Sequence, residues 1–199
     1  TITFDLCSFE GNIAGNNGGG LLFLTSEIND KLTFKFDDCQ FIGNRATNGG
    51  ALYMTTTKNF EINSCTFNNN IATSSAGAIY IDIGVITEQQ NIRITGCTFN
   101  NNQASSGNGN PSAIYLKGTT DTNIQIDGNN FENPQPERDL IYSLSRDLHI
   151  TQDFVLNSQV NARAIQLGID STTEIENCQF KYYGGSDGQG AALKVAERA

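Results

Sequence analysis

Short alternations of apolar and polar residues recur along the whole chain. Ile2 and Phe4, Phe34 and Phe36, Phe60 and Ile62, Ile92 and Ile94, Ile124 and Ile126, Leu148 and Ile150, and Thr173 and Ile175 each flank a single outward position. A period of two marks a β-strand with one buried face. Turn formers follow in most copies (Asp37-Asp38, Asn63-Ser64, Thr95-Gly96, Asp127-Gly128), and then a triplet opens with Cys and closes with Phe. The triplets pair Cys7 with Phe9, Cys39 with Phe41, Cys65 with Phe67, Cys97 with Phe99 and Cys178 with Phe180. Asn129 and Phe131 fill the same slots in one further copy, and a degenerate copy falls near Asp153 and Val155. After a polar, Gly-rich stretch comes another apolar run: LLFL at 21–24, ALYM at 51–54, AIYI at 78–81, AIYL at 113–116, LIYS at 140–143, AIQL at 164–167 and ALKV at 192–195.

Three short strands per repeat, with one motif position apolar in repeat after repeat, predict an all-β parallel β-helix. Each coil pairs strand for strand with the next, and no coil buries its inner face alone. Repeat starts at 7, 39, 65, 97, 129, 153 and 178 give about seven coils in a single domain over 1–199. At roughly 4.8 Å per coil they make a rod of about 30 Å, right-handed by the rule for parallel crossovers. The first strand begins at the start of the sequence and the last run lies near its end. The expectation is a segment of a longer rod or a subunit stacked end to end, because bare strand edges pair with other chains.

The register sorts residues into columns. Cys7, Cys39, Cys65, Cys97 and Cys178, with Phe9, Phe41, Phe67, Phe99, Phe131 and Phe180, are expected as core ladders of mostly free thiols and stacked rings. Asn12, Asn44, Asn70 and Asn102 are expected at a corner, where their amides hydrogen-bond from coil to coil. The outward column of the first strand reads Thr3, Lys35, Glu61, Arg93, Gln125, His149 and Glu174. Alternating single charges suit cross-strand pairing on a solvated face. A polysaccharide lyase or glycoside hydrolase, the alternative function, needs clustered carboxylates or a Ca²⁺ cage on that face. With Leu22, Leu24, Leu52, Met54 and their equivalents facing inward, Phe23, Tyr53, Tyr80, Tyr115 and Tyr142 form an outward aromatic column. Ala51, Ala78 and Ala113 are expected to run beside it. An aromatic stripe flanked by alanines makes a docking face.

Composition narrows the function. The chain has 20 Gly, no Trp, 17% charged residues and a net charge of −9 with a pI near 4.4. It therefore lacks the basic footprint of a nucleic-acid or anionic-membrane partner, and no apolar run is long enough to insert in a bilayer. One His and widely spaced cysteines exclude a zinc signature. No cofactor is expected; acidic turns leave room only for weak surface Ca²⁺, with no ligand-spaced loop to hold it.

The pairing of F-x-x-N (Phe9/Asn12, Phe41/Asn44, Phe67/Asn70, Phe99/Asn102) with G-G-A-[IL] (Gly49 to Leu52, and the variants GGGLL, AGAI and GAAL) resembles the repeats of polymorphic outer-membrane proteins. Those are autotransporter adhesins with pectate-lyase-like parallel β-helices. The pattern departs at Phe131 and Phe180, where Pro134 and Tyr183 replace the Asn. The resemblance implies a β-helix at the cell surface or in the extracellular space. The reading is a non-enzymatic structural or adhesive module. Its partners are related β-helix subunits, met end to end or through the Tyr face, or a glycan stacked on the tyrosines.

Overall fold

The computed structural model describes residues 1–24, 33–56, 59–83, 90–105, 111–118, 122–132, 138–144, 147–151, 163–168, 172–178 and 193–195. In chain order the strands are β1 (Ile2–Asp5), β2 (Ser8–Glu10) and β3 (Leu21–Leu24), then β4 (Thr33–Asp37), β5 (Gln40–Ile42), β6 (Arg45–Asn48) and β7 (Leu52–Thr56). The next repeat gives β8 (Asn59–Asn63), β9 (Thr66–Asn68), β10 (Ile71–Ser75) and β11 (Ile79–Ile83). It is followed by β12 (Gln90–Thr95), β13 (Thr98–Asn100), β14 (Gln103–Ala104) and β15 (Ile114–Lys117). The remainder are β16 (Thr122–Asp127), β17 (Asn130–Glu132), β18 (Asp139–Ser143), β19 (Asp147–Thr151), β20 (Arg163–Leu167), β21 (Thr172–Glu176) and β22 (Leu193–Val195).

All strand pairs are parallel, and the strands stack into four sheets, the arrangement of a parallel β-helix. The first sheet runs β1-β4-β8-β12-β16-β19-β21 and the second β2-β5-β9-β13-β17. A third, β6-β10-β14, precedes a fourth, β3-β7-β11-β15-β18-β20-β22. The first sheet follows the expected register, with Thr3, Lys35, Glu61, Arg93, Gln125, His149 and Glu174 lying side by side.

The third sheet departs from the expectation of three strands per repeat. It forms directly after the Asn corner, where Arg45-Ala46, Ile71-Ala72 and Gln103-Ala104 pair in register. Each strand has a single buried apolar side chain, the methyl of Ala46, Ala72 or Ala104. A strand with a single methyl as its apolar signal reads as a polar loop, which is why alternation alone passes over it.

Corners are built from residues with left-handed backbone. Leu6, Asp38, Ser64, Gly96, Gly128 and Asn177 turn the chain after the first sheet, with φ between 50° and 63°. Gly11, Gly43, Asn69 and Asn101 turn it after the second. Asn and Gly carry this conformation at least cost, so the middle Asn of each NNN run is a corner and the last enters the ladder. Inside, Phe36, Phe41, Ile62, Phe67, Ile79, Ile94, Ile126 and Phe131 are completely buried. Each such side chain contributes about 1.5–3 kcal/mol of transfer free energy.

Candidate contact face and the ladders behind it

Tyr53, Tyr80, Tyr115 and Tyr142 lie in one register on the fourth sheet. Their rings stack with centroids 4.8, 4.5 and 5.4 Å apart, and all four are half-buried. Each interior ring has a neighbour against both faces, so the stripe presents ring edges and hydroxyls to the outside. Burial, followed by the neighbouring Tyr115 and Asp82 charges, raises the Tyr80 phenol above its usual range. Burial likewise raises Tyr115 and Tyr142. Tyr80, Tyr115 and Tyr142 therefore stay protonated and able both to donate and to accept.

Two expectations about this face are corrected. Phe23 is not in the stripe: β3 pairs Leu22 with Tyr53 and Phe23 with Met54. Phe23 turns inward and packs on Phe34 at 4.4 Å, while Leu22 and Leu24 face out, 44% and 67% exposed. The cause is the third glycine of GGG. Gly18 matches Gly49 in left-handed backbone, so Gly20 takes the Ala51 place and Leu21 pairs with Leu52. A one-residue slip exchanges the two faces of a strand.

Ala51, Ala78 and Ala113 do not flank the stripe either; they are buried members of the core. The backbone N–H groups of Ala51 and Leu52 both donate to the Ala78 carbonyl. Two donors on one acceptor is a bulge geometry, and it turns consecutive Ala and Leu side chains to the same inner side. The sequence also offers segment 82–91 as a cover for the stripe, and of it residues 84–89 lie outside the described residues.

Behind the stripe run the ladders. Phe9, Phe41, Phe67, Phe99 and Phe131 stack at 4.7–4.9 Å with nearly parallel planes; Phe180 lies outside the described residues. Cys39, Cys65 and Cys97 are buried, Cys7 and Cys178 half-buried, and no disulfide joins them. The Cys39, Cys65 and Cys97 thiols donate to the carbonyls of Phe4, Phe36 and Ile62 in the preceding repeat, at 3.5, 3.6 and 3.6 Å. Asn129 replaces the next thiol with stronger bonds: its Nδ2 donates to the Ile94 carbonyl at 2.9 Å and its Oδ1 accepts from the Cys97 N–H at 2.9 Å.

Burial pushes the Cys39 thiol from 9.0 up to about 11. The Cys97 thiol hydrogen bond, with burial, raises Cys65 as well. A thiol whose folded pKa is raised contributes stability that is complete below its unfolded pKa and lost as pH climbs to the folded one. The denaturation midpoint should therefore hold to about pH 9 and fall towards pH 11. Iodoacetamide at pH 8 should label Cys7 before Cys39, Cys65 or Cys97. A flat midpoint over that range, or equal labelling in the native state, contradicts this reading.

The corner ladder is continuous. Asn44 Oδ1 accepts from the Asn12 N–H and Nδ2, Asn70 Oδ1 from those of Asn44, and Asn102 Oδ1 from those of Asn70, all at 3.0–3.1 Å. Each inner Nδ2 also donates to a Phe carbonyl of the preceding repeat: Asn44 to Phe9, Asn70 to Phe41 and Asn102 to Phe67. Asn44 and Asn70 are completely buried and Asn102 nearly so, and the ladder supplies partners to backbone groups that a corner would otherwise strand.

On the first sheet, Lys35 pairs with Asp37 of its own strand at 3.1 Å rather than with Glu61. The Arg93 Nε donates to the Gln125 Oε1 at 2.9 Å. His149 Nδ1 lies 3.0 Å from Glu174 Oε2 on an exposed surface. Among the described residues, no group of three or more His, Cys, Asp or Glu side chains is arranged to hold a metal ion. Sequence reasoning missed Asp82 and Lys117, which share the face and register of Tyr80 and Tyr115 and pair at 2.9 Å. It also missed Gln166, which continues the column after Tyr142. Position i+2 of the strand was the available signal for the charged pair.

Comparison with curated proteins and with solved structures gives no match. A family model does match. Residues 38–55 and 64–82, which run from the corner before Cys39 or Cys65 through the Asn ladder and third sheet to Tyr53 or Tyr80, are similar to the Chlamydia polymorphic membrane protein repeat.

Proposed function

We propose that the chain is a surface-exposed, extracellular β-helical module with a structural or adhesive role and no catalytic one, and that the tyrosine stripe is its contact face. The observation that carries the reading is the four-ring stack itself. Cys, Phe, Asn, Gly and Ala of the repeat all go into building the rod, and the tyrosines are the repeated residues left facing outward. The two matched repeats favour a surface location through their family. End-to-end addition of further turns through strand edges is a second contact of the same structural kind.

Beads coated with the chain should adhere to a cell layer that displays it, and adhesion should fall about tenfold when Tyr53, Tyr80, Tyr115 and Tyr142 are changed to Ser, a loss of about 1.4 kcal/mol. The same preparations, incubated with an acidic polysaccharide, should release no reducing ends. Undiminished adhesion of the variant removes the stripe from the reading. Release of reducing ends replaces it with an enzyme.

A further inference from the structure

We propose that the tyrosine face binds a second copy of the chain, packed face to face and antiparallel about a two-fold axis that runs parallel to the strands, midway between β11 and β15. This rests on the stripe being a contact face, and it names the partner. The first argument is the period. Along the rod the rings repeat every 4.5–5.4 Å, whereas an extended peptide places residues about 3.3 Å apart and drifts out of step within a few positions. Another copy of the same β-helix has the matching period by construction.

The second argument is the chemistry on show. With their faces covered by neighbouring rings, the tyrosines leave little for a sugar ring to stack on. Hydroxyls that both donate and accept make a self-complementary row. The third argument is charge. Under this axis Tyr80 lies opposite Tyr115 of the second copy, Tyr53 opposite Tyr142, and Asp82 opposite Lys117. Asp82 and Lys117 already pair within each chain at 2.9 Å, so the four charges alternate in sign around a square. Moving the axis onto β11 sets Asp82 against Asp82, and moving it onto β15 sets Lys117 against Lys117. Like charges reject both registers. A two-fold axis along the rod leaves Asp82 and Lys117 without a partner across the interface.

The stripe is small beside a standard interface, so association in free solution is weak and gains from many copies held on one surface. The experiment uses the 199-residue chain with Cys7→Ser and Cys178→Ser. Tyr80→Cys and Tyr115→Cys are introduced separately, mixed in equal amounts and oxidised, and the products are counted by intact mass. The crosslink between the two variants should exceed either self-crosslink by about tenfold, corresponding to 1.4 kcal/mol. Asp82→Lys should weaken self-association in sedimentation equilibrium, and the double exchange Asp82→Lys/Lys117→Asp should restore it. Self-crosslinks equal to or above the mixed one, or a monomer with no crosslink at any concentration, overturn the proposal. If beads still adhere through the tyrosines while the crosslink fails, the contact face stands and its partner is of another kind; if adhesion ignores the tyrosines, the contact face itself fails.

Discussion

Replacing Gly50 by alanine is expected to unfold the chain or cost it more than about 4 kcal/mol, the range of severe core lesions. A Cβ at Gly50 would lie 2.3 Å from the Gly77 carbonyl oxygen and 2.7 Å from the backbone N and C of Ile71. Both obstacles are backbone, Ile71 in β10 and Gly77 between β10 and β11, so neither can rotate aside as a side chain would. Gly19 and Gly77 meet the same obstruction from Arg45 and Gln103. In each case the blocking strand belongs to the third sheet of the following repeat. Where that sheet ends at β14 among the described residues, Ser112 takes the glycine's place, and its hydroxyl donates to the Asp139 carbonyl at 3.1 Å. Gly15→Ala is the matched control, because nothing lies within 4 Å of its Cβ, and it should change stability by less than about 0.5 kcal/mol. Equilibrium denaturation of the two variants decides the matter. A Gly50→Ala protein within about 1 kcal/mol of the parent would mean that the stack yields far more easily than its geometry indicates.

The second large effect is expected at Asn70. Asn70→Leu keeps the volume and removes the polar rungs. The Asn44 N–H and Nδ2 lose their acceptor, the Phe41 carbonyl loses a donor, and Asn102 Oδ1 loses one of its two bonds. Orphaned buried groups cost about 1–3 kcal/mol each, so the lost partners of Asn44 N–H, Asn44 Nδ2 and the Phe41 carbonyl sum to roughly 3–9 kcal/mol. Asn12→Leu, at the exposed end of the ladder, should cost about 1 kcal/mol or less because water replaces the lost partner. Equal losses at the two positions would show that the ladder's energy does not depend on its burial.

Much of the fold was legible because the repeat states it many times over. Alternation gave the first sheet in its observed register, and the Cys-x-Phe triplets gave the second. What escaped was written in small residues. Ala46, Ala72 and Ala104 carry a whole sheet, yet a lone methyl between polar neighbours raises no periodic signal. Its trace lay in the Gly-Gly pairs, whose second member is small because the third sheet presses against it. The same glycines misled the reading of the contact face. Setting Leu22 level with Leu52 puts Leu21 against Ala51, a place that Gly20 fills, and so turns Phe23 outward. The alanines of GGAL were misplaced because strict alternation was carried through a bulge. The tyrosines themselves needed only alternation. Their stacking, which closes the ring faces and leaves edges and hydroxyls, depends on the spacing between coils and cannot be read along a single strand.

The asparagine ladder has a further property. In each of its three rungs the carboxamide of one repeat donates to the Oδ1 of the next, with the same sense from Asn12 to Asn102. Amide dipoles aligned in this way add, as peptide dipoles do along a helix, so the row carries a fixed electrical sense along the rod. The rungs all point the same way, which makes the axis of the molecule an arrow rather than a line.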